Sequence, residues 1–331
     1  MELEVRHLRA LCAIAESGSV RKAARQLGMT QPSLTTQLRR IEQAVGGELF
    51  TRGREGSKPT PLGRSVLGRA RPIVAEMDAL MNEVREAAGH ASGGQRLRVG
   101  STGSRTLSRW LRRLHERLPE TDTTIHIDVS ANALLQMLAS NQLDAVYAHE
   151  VEGSPLNFPE GIETRVLLER EPQFMAVTER HPQVHKDEFD LMDLADDQWM
   201  VDPTVDGEWI GIRRLFATQE LNPRVVHGDY MTAGDLVTAG EVITPCQPIS
   251  VGRPGMAIRP IAGDPLAVRL VLAVRTGGTA DIDVLFPELQ HAYIEAAQDS
   301  AVYQSWLERH QTTLEGMLGM EDPTPTASVR G

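Results

Sequence analysis

Only two cysteines, Cys12 and Cys246, occur in 331 residues, too few for a disulfide framework or a zinc site. Cys12 falls on the apolar side of a helix expected over Val5–Glu16 and reads as core. Cys246 follows Pro245 in a loop-like stretch with no partner thiol, which makes redox sensing the minority reading. No apolar run approaches the ~20 residues needed to cross a membrane. The segment Met1–Leu8 lacks a basic-then-apolar export signal, so a cytoplasmic location is expected. Catalytic signatures are missing as well. His181 and His185 have ligand-like spacing, but Pro182 denies them a shared helical face and no third ligand is evident. Gly252-Arg253-Pro254-Gly255 is too short and proline-rich for a phosphate loop, and no Gly-x-Ser-x-Gly turn occurs. No enzymatic activity, metal or cofactor is expected.

What is present begins with residues 19–42. Val20–Leu27 reads as a short helix with Ala23, Ala24 and Leu27 on its buried side, and Gly28-Met29 as a turn. Thr30 fits an N-cap, and Pro32 is tolerated in the first turn of the next helix, where its missing N–H has no helical partner. Leu34, Leu38, Ile41 and Val45 then repeat at spacings of three and four, with Gln31, Thr35, Gln37, Arg39 and Arg40 on the opposite face. This is the layout of a helix-turn-helix whose second helix enters the major groove of DNA. An ordinary helical hairpin shares the bare pattern; the next segment separates the two. Residues 46–63 form a glycine-rich hairpin carrying Arg52, Arg54 and Lys58, placed like a wing that reaches phosphates beside the groove. Charge is divided in the same way. Through Arg64 there are 11 basic and 6 acidic side chains, net +5, while the whole chain is −11, which leaves −16 for the remainder. A basic head on an acidic body suits a DNA-binding unit joined to something kept off DNA.

In this region the sequence resembles the LysR-type transcriptional regulators. The resemblance rests on Ala23-Ala24, Thr30-Gln31-Pro32-Ser33-Leu34-Thr35, Arg39-Arg40-Ile41-Glu42, Gly47-Glu48-Leu49-Phe50-Thr51-Arg52 and Thr60-Pro61-Leu62-Gly63, in order and at the family's spacing. Lys58-Pro59 stands where the family usually carries an apolar residue before the threonine. Thr30, Gln31, Pro32, Ser33, Thr35 and Thr36 are expected nearest the base edges, and Arg39, Arg40, Arg52, Arg54 and Lys58 on phosphates.

Leu62 to about Ala88 reads as one helix. Val66, Ala70, Ile73, Met77, Leu80, Val84 and Ala87 alternate steps of four and three, a coiled-coil seam that needs a partner helix. Pro72 is expected to kink it near Gly68. The resemblance implies that this linker helix pairs two chains and sets the distance between their DNA-reading helices. Gly89–Gly94 reads as a hinge. Beyond it, strand and helix alternate: strands at 97–100, 124–129 and 143–148, helices at 106–118 and 132–140, and a second run from Arg165. Later elements are expected at 174–177, 198–201, 210–219, 224–227 and 271–274, with a helical region over about 283–310.

The expected architecture is α/β overall: an N-terminal all-α winged helix-turn-helix (1–60), a long linker helix (61–88), a hinge (89–94) and a C-terminal effector domain (95–318). The resemblance implies that this domain is built like periplasmic solute-binding proteins, with lobe I at 95–164 and 268–318 and lobe II at 165–267. Residues 319–331, rich in Pro and Thr, are expected to be disordered. Ligands of such bodies bind at strand C-termini and helix N-termini. Ser101, Thr102 and Ser104 lie at one such junction, Ser130 and Asn132 at the next, and Thr204, Asp206, Tyr230 and Thr232 are placed on the facing wall. Each of these side chains alone also fits a plain helix cap. Hydroxyls and free N–H groups at the first junction favour a carboxylate or similar anion, whereas Asp202, Asp206 and Glu208 either repel a dicarboxylate or greet an amine, so the sequence leaves the ligand's chemistry open. The expected partners are double-stranded DNA, a small-molecule effector and further copies of the chain as dimer or tetramer, with RNA polymerase a further candidate and no membrane. The rivals are a solute-binding protein or enzyme with a vestigial helix-turn-helix, and an architectural DNA binder.

Overall fold

In the computed structural model, residues 3–53, 56–89 and 95–320 are described; positions 90–94 of the hinge expected at 89–94, Arg54 and the tail beyond 320 lie outside them, while Gly89 is the last residue of a helix. The chain divides near Ser92 into two compact units.

The N-terminal unit begins with α1 (Val5–Ser17), which ends at Gly18 in the left-handed region. Helix α2 (Val20–Gln26) and the turn at Gly28, φ +66, lead into α3 (Gln31–Val45). Thr30 caps α3, its hydroxyl accepting from the Ser33 N–H at 3.4 Å. Leu34, Leu38 and Ile41 bury one face of α3 against Leu11, Ile14, Ala23 and Ala24. The wing is an antiparallel pair, β1 (Phe50–Gly53) and β2 (Gly56–Pro59), with Thr51 opposite Lys58. Pro59 closes the second strand, where its lack of an N–H is tolerated. Thr60 then ties the end of the wing back to its start: its N–H donates to the Leu49 carbonyl at 2.9 Å and its hydroxyl to that of Glu48 at 2.7 Å. Gly63 sits so close to this corner that a β-carbon would lie 2.0 Å from the Leu49 carbonyl oxygen. The Thr60–Gly63 block is therefore a packing requirement.

Helix α4 (Pro61–Gly89) runs through position 72 without interruption. Its expected seam is divided. Leu67 and Ala70 are buried in the head core and Val66 packs against it, so Ala70 is not free to meet a partner helix. Ile73 and Leu80 lie about half exposed, at 50% and 51%. Four-and-three spacing is shared by a coiled-coil seam and by a helix packed on its own domain, and the first turns of α4 are the second case.

In the C-terminal unit, lobe I is a five-stranded sheet of order β4-β3-β5-β12-β6. Its strands are β3 (Gln95–Ser101), β4 (Thr121–Ile127), β5 (Ala145–Val151), β6 (Ile162–Pro172) and β12 (Ala267–Arg275). β3 pairs in parallel with β4 and β5, whereas β12 is antiparallel to both β5 and β6. The sheet is thus mixed, not mostly parallel. β6 belongs to it as far as Pro172, so the chain leaves lobe I there and not near Arg165, and it returns with β12 at Ala267. Helices α5 (Thr106–Arg117) and α6 (Ala131–Ala139) come after β3 and β4. Arg98 is pinned by buried Asp144 through its backbone N–H at 2.7 Å and its guanidinium at 2.8 Å and 3.0 Å.

Lobe II holds β7 (Phe174–Thr178) between β10 (Thr244–Cys246) and β11 (Met256–Arg259), and a parallel pair, β8 (Gln198–Val201) and β9 (Arg224–His227). A bridge from Trp199 to Ile243 connects the two sheets. Helices α7 (Glu208–Thr218) and α8 (Tyr230–Ala239) belong to this lobe. The helical region near the end breaks at Asp299-Ser300 into α9 (Ile282–Gln298) and α10 (Ala301–Arg309), with a short α11 (Leu314–Met317) after them. Arg109, Arg112 and Arg113 of α5 pair with Asp299, Glu295 and Glu288, fastening α5 along α9.

Candidate nucleic-acid interface and ligand cleft

The first turn of α3 presents Gln31, Pro32, Ser33 and Thr36 to solvent, with Arg39 and Arg40 exposed on the next turn and Thr35 half-buried. Thr36 bonds its hydroxyl back to the Pro32 carbonyl at 3.0 Å. Lys58 is exposed on the wing and Arg52 lies in β1. Helix α1 lies where the sequence places a helix, but its position beside this face is not among the sequence expectations. A groove of about 880 Å³ separates α1 from α3, with Arg6 and Arg9 on one wall and Ser33, Thr36 and Arg40 on the other. Its signal was local: two arginines three apart on a helix of otherwise apolar pattern.

In the second unit, Ser101 and Thr102 sit at the end of β3, buried. The Ser101 hydroxyl donates to the Thr102 carbonyl at 3.0 Å. The Thr102 hydroxyl accepts from the His149 N–H at 3.2 Å and makes a short contact with His149 Nδ1. The Gln247 amide nitrogen lies 2.5 Å from Nε2 and can only donate, so Nε2 accepts and the ring proton sits on Nδ1, directed at the Thr102 hydroxyl, whose second lone pair takes it. Desolvation lowers the His149 pKa to about 4, so the imidazole is neutral. A Thr102–His149–Gln247 chain therefore runs from lobe I to lobe II, and neither His149 nor Gln247 was expected.

Ser130 and Asn132 are joined to Asp206. The Ser130 hydroxyl and the Asn132 N–H each donate to the Asp206 carboxylate at 2.8 Å. A lobe II carboxylate thus caps the start of α6 in lobe I. This corrects the expectation that Asp206 repels an anion from an open wall: its charge is taken up by two donors of the other lobe, at the positive end of a helix. Around it the lobes touch. Gly207, φ +79, approaches so closely that a β-carbon would fall 2.4 Å from Ser154 Cβ, and the Arg214 guanidinium donates to the Gly153 carbonyl at 3.1 Å.

Tyr230 donates its hydroxyl to Glu208 at 2.5 Å, and the Asp202 N–H donates to the other Glu208 oxygen at 3.1 Å. Burial, helped by the Asp202 charge, pushes Glu208 up to about 7. Thr204 and Thr232 use their hydroxyls locally, on Asp202 and on the Asp229 carbonyl. Ser104 accepts from the Thr106 N–H at 3.3 Å. Thr204, Ser104 and Thr232 thus behave as caps and turns. Burial pushes the Cys246 thiol up to about 12, which keeps it protonated. His181 bonds Asp197 at 3.0 Å, a structural pairing. Among the described residues no cluster of His, Cys, Asp or Glu is arranged to hold a metal, and no helix is long and apolar enough to cross a membrane.

A helix-turn-helix with a wing and a two-lobed α/β unit define a ligand-responsive DNA-binding protein. Residues 5–64 match "Bacterial regulatory helix-turn-helix protein, lysR family" and residues 90–286 match the LysR substrate binding domain. The chain belongs to the LysR family of transcriptional regulators. The small neutral protease regulatory protein of Streptomyces coelicolor (strain ATCC BAA-471 / A3(2) / M145) is 58% identical over 308 residues, 93% of this chain and 92% of that one. The protein of the same name from Streptomyces lividans is also 58% identical over 308 residues, covering 93% and 88%. Among solved structures, CbnR, a LysR family transcriptional regulator, shares the fold with a TM-score of 0.52 at 20% identity, covering 88% of this chain and 99% of that one. The Corynebacterium glutamicum OxyR C206 mutant does so with a TM-score of 0.52 at 24% identity, covering 95% and 98%.

Proposed function

We propose that this regulator binds promoter DNA sequence-specifically as a dimer or dimer of dimers, controls a gene for a small neutral protease, and answers to a small molecule held between the lobes. The first turn of α3 carries the DNA part: Gln31, Ser33 and Thr36 stand exposed together while Leu34, Leu38 and Ile41 lock the helix from behind. Gln31 reads a base edge. Arg39, Arg40 and Lys58 hold phosphates, with Arg6 and Arg9 lining the groove through which one DNA strand runs. The protease target rests on the 58% identity to regulators of that name. Self-association rests on two apolar surfaces: the Ile73 and Leu80 stripe of α4, and Ile125, Ile127 and Val129 along edge strand β4 and its continuation. It works in the cytoplasm, and RNA polymerase is its further partner at the promoter.

The effector acts by changing how the lobes close. Asp206 on the α6 start and Gln247 on His149 are the bonds that closure makes, so a ligand shifts the balance only by binding one arrangement more tightly. The test is to mix the purified protein with sheared genomic DNA, recover bound fragments at moderate salt and sequence them. Sharp peaks over interrupted dyads, one of them upstream of a neutral protease gene, are expected. Diffuse recovery would fit an architectural binder, and no recovery a solute-binding protein. Gln31→Ala is expected to cost roughly 1–3 kcal/mol of base discrimination, and Arg40→Ala to reduce the salt slope by about one. Equal loss on specific and random DNA for Gln31→Ala would refute the base contact.

A further inference from the structure

His7, the third residue of α1, is 6% exposed and lines the groove between α1 and α3. Its Nδ1 accepts the Glu4 N–H at 3.0 Å, which ties the ring to the start of the helix. A ring nitrogen that accepts carries no proton, so the imidazole keeps its proton on Nε2. A second ring proton would have to displace the Glu4 bond. Nε2 is the nitrogen turned away from that cap, and among the described residues no acceptor meets it. A donor so nearly buried is costly when left idle. The groove that the ring lines is furnished for an anion. Arg6 and Arg9 stand on one wall and Arg40 on the other, with the exposed Ser33 hydroxyl beside it. Among the described residues on this lining Glu4 is the one acid, and Arg6 takes up its carboxylate at 2.8 Å.

We propose that His7 donates from Nε2 to a phosphate oxygen of DNA lying in this groove. The proposal rests on the reading that a DNA strand runs between α1 and α3, and it adds a contact of another kind. The arginines hold a phosphate by charge, on long stems that follow it. His7 holds it by direction, because the cap fixes the ring and leaves a single donor pointing one way. A contact of that kind sets where the strand lies against the first turn of α3, and so where Gln31 meets a base edge. Since the donor is neutral, it releases no counterion. Its contribution is therefore the same at every salt concentration, unlike that of an arginine.

The test titrates the full chain onto a fluorescent duplex of random sequence over a range of sodium chloride concentrations, since a phosphate contact is blind to sequence. His7→Asn keeps an acceptor where Nδ1 stands and loses the reach of Nε2. It is expected to melt with the native chain and to bind about tenfold more weakly at every salt concentration, with the slope unchanged. His7→Gln carries an amide N–H out to the distance of Nε2 and should recover most of that loss. Native binding by His7→Asn, a loss that His7→Gln does not recover, or a loss accompanied by a shallower slope would overturn the proposal. If His7→Asn does not fold, the native chain with isotope-labelled histidine decides by nitrogen resonance. The His7 signals, identified by their absence in His7→Gln, must show the proton on Nε2 and shift when duplex is added; a proton on Nδ1, or signals indifferent to duplex, would overturn it equally. Arg40→Ala separates the two readings. A reduced slope there with native binding by His7→Asn removes the histidine contact and leaves the strand in the groove. A native slope in Arg40→Ala together with native binding by His7→Asn removes both.

Discussion

In the head, the core is made of Leu11, Ile14, Ala23, Leu34, Leu38, Ile41 and Leu67, and the polar side chains needed for DNA stand outside it. The effector unit buries Ser101, Thr102, Thr106, Asp144, Glu171 and Asp202. An apolar core holds its shape whatever meets the surface, which suits a unit that must present one fixed helix to a groove. A core with polar groups inside depends on how those groups are paired, so its packing responds to a ligand, a proton or a missing partner.

The largest way to sharpen this contrast is Asp144→Ala. Removing the carboxylate that pins Arg98 is expected to destabilise the effector unit by about 3–5 kcal/mol, read as an earlier denaturant transition. The head's transition should stay in place, and a shift of both together would break the comparison. Gly63→Ala is the mirror experiment. Its β-carbon meets the Leu49 carbonyl, so a loss of about 2–3 kcal/mol confined to the head is expected, with promoter affinity falling in parallel.

Acidity comes next. Glu171 at about 8 and Glu208 at about 7 both lie above the ordinary value of 4.5, so the folded unit holds their protons more tightly than the unfolded chain. The stability they contribute is complete below pH 4.5 and is lost as pH rises through 7 and 8. His149, lowered to about 4 from 6.5, works the other way, and its contribution fades as pH falls from 6.5 to 4. Unfolding of the effector unit between pH 4 and 9 should therefore show greatest stability near pH 4.5, because above it the two acids outweigh His149, and a decline towards 8 that Glu171→Gln flattens. A flat profile in the native chain would remove the buried acids from the argument. The smallest effect is that of Asp206→Ala, about 1 kcal/mol for a lost cap. It is expected as a larger radius of gyration in solution scattering, with DNA affinity at half-site level unchanged.

How legible each region was depends on the same division. The head is written locally: the spacing of Leu34, Leu38 and Ile41, the Thr30 cap and the Gly28 turn all act within a few residues, and α3 falls where that spacing puts it. Ala70 shows the limit, since a four-and-three stripe does not say which neighbour it faces. In the effector unit the strands at 198–201 and 224–227 were readable from their apolar runs. The antiparallel pairing of β12 and the extension of β6 to Pro172 were not, because pairing is chosen between distant segments. α8 was missed for want of a periodic apolar face. Ser130, Asn132 and Asp206 were each named, but nothing local joins residues so far apart into one bond.

Helix α4 is 29 residues long, which at the usual rise is about 43 Å of rod. A rod of that length is a lever. Each degree of tilt at one end carries the other sideways by about three-quarters of an ångström, so roughly five degrees equals the 3.4 Å step between base pairs. A movement too small to disturb packing at its base is enough to move a reading head by one rung of the duplex.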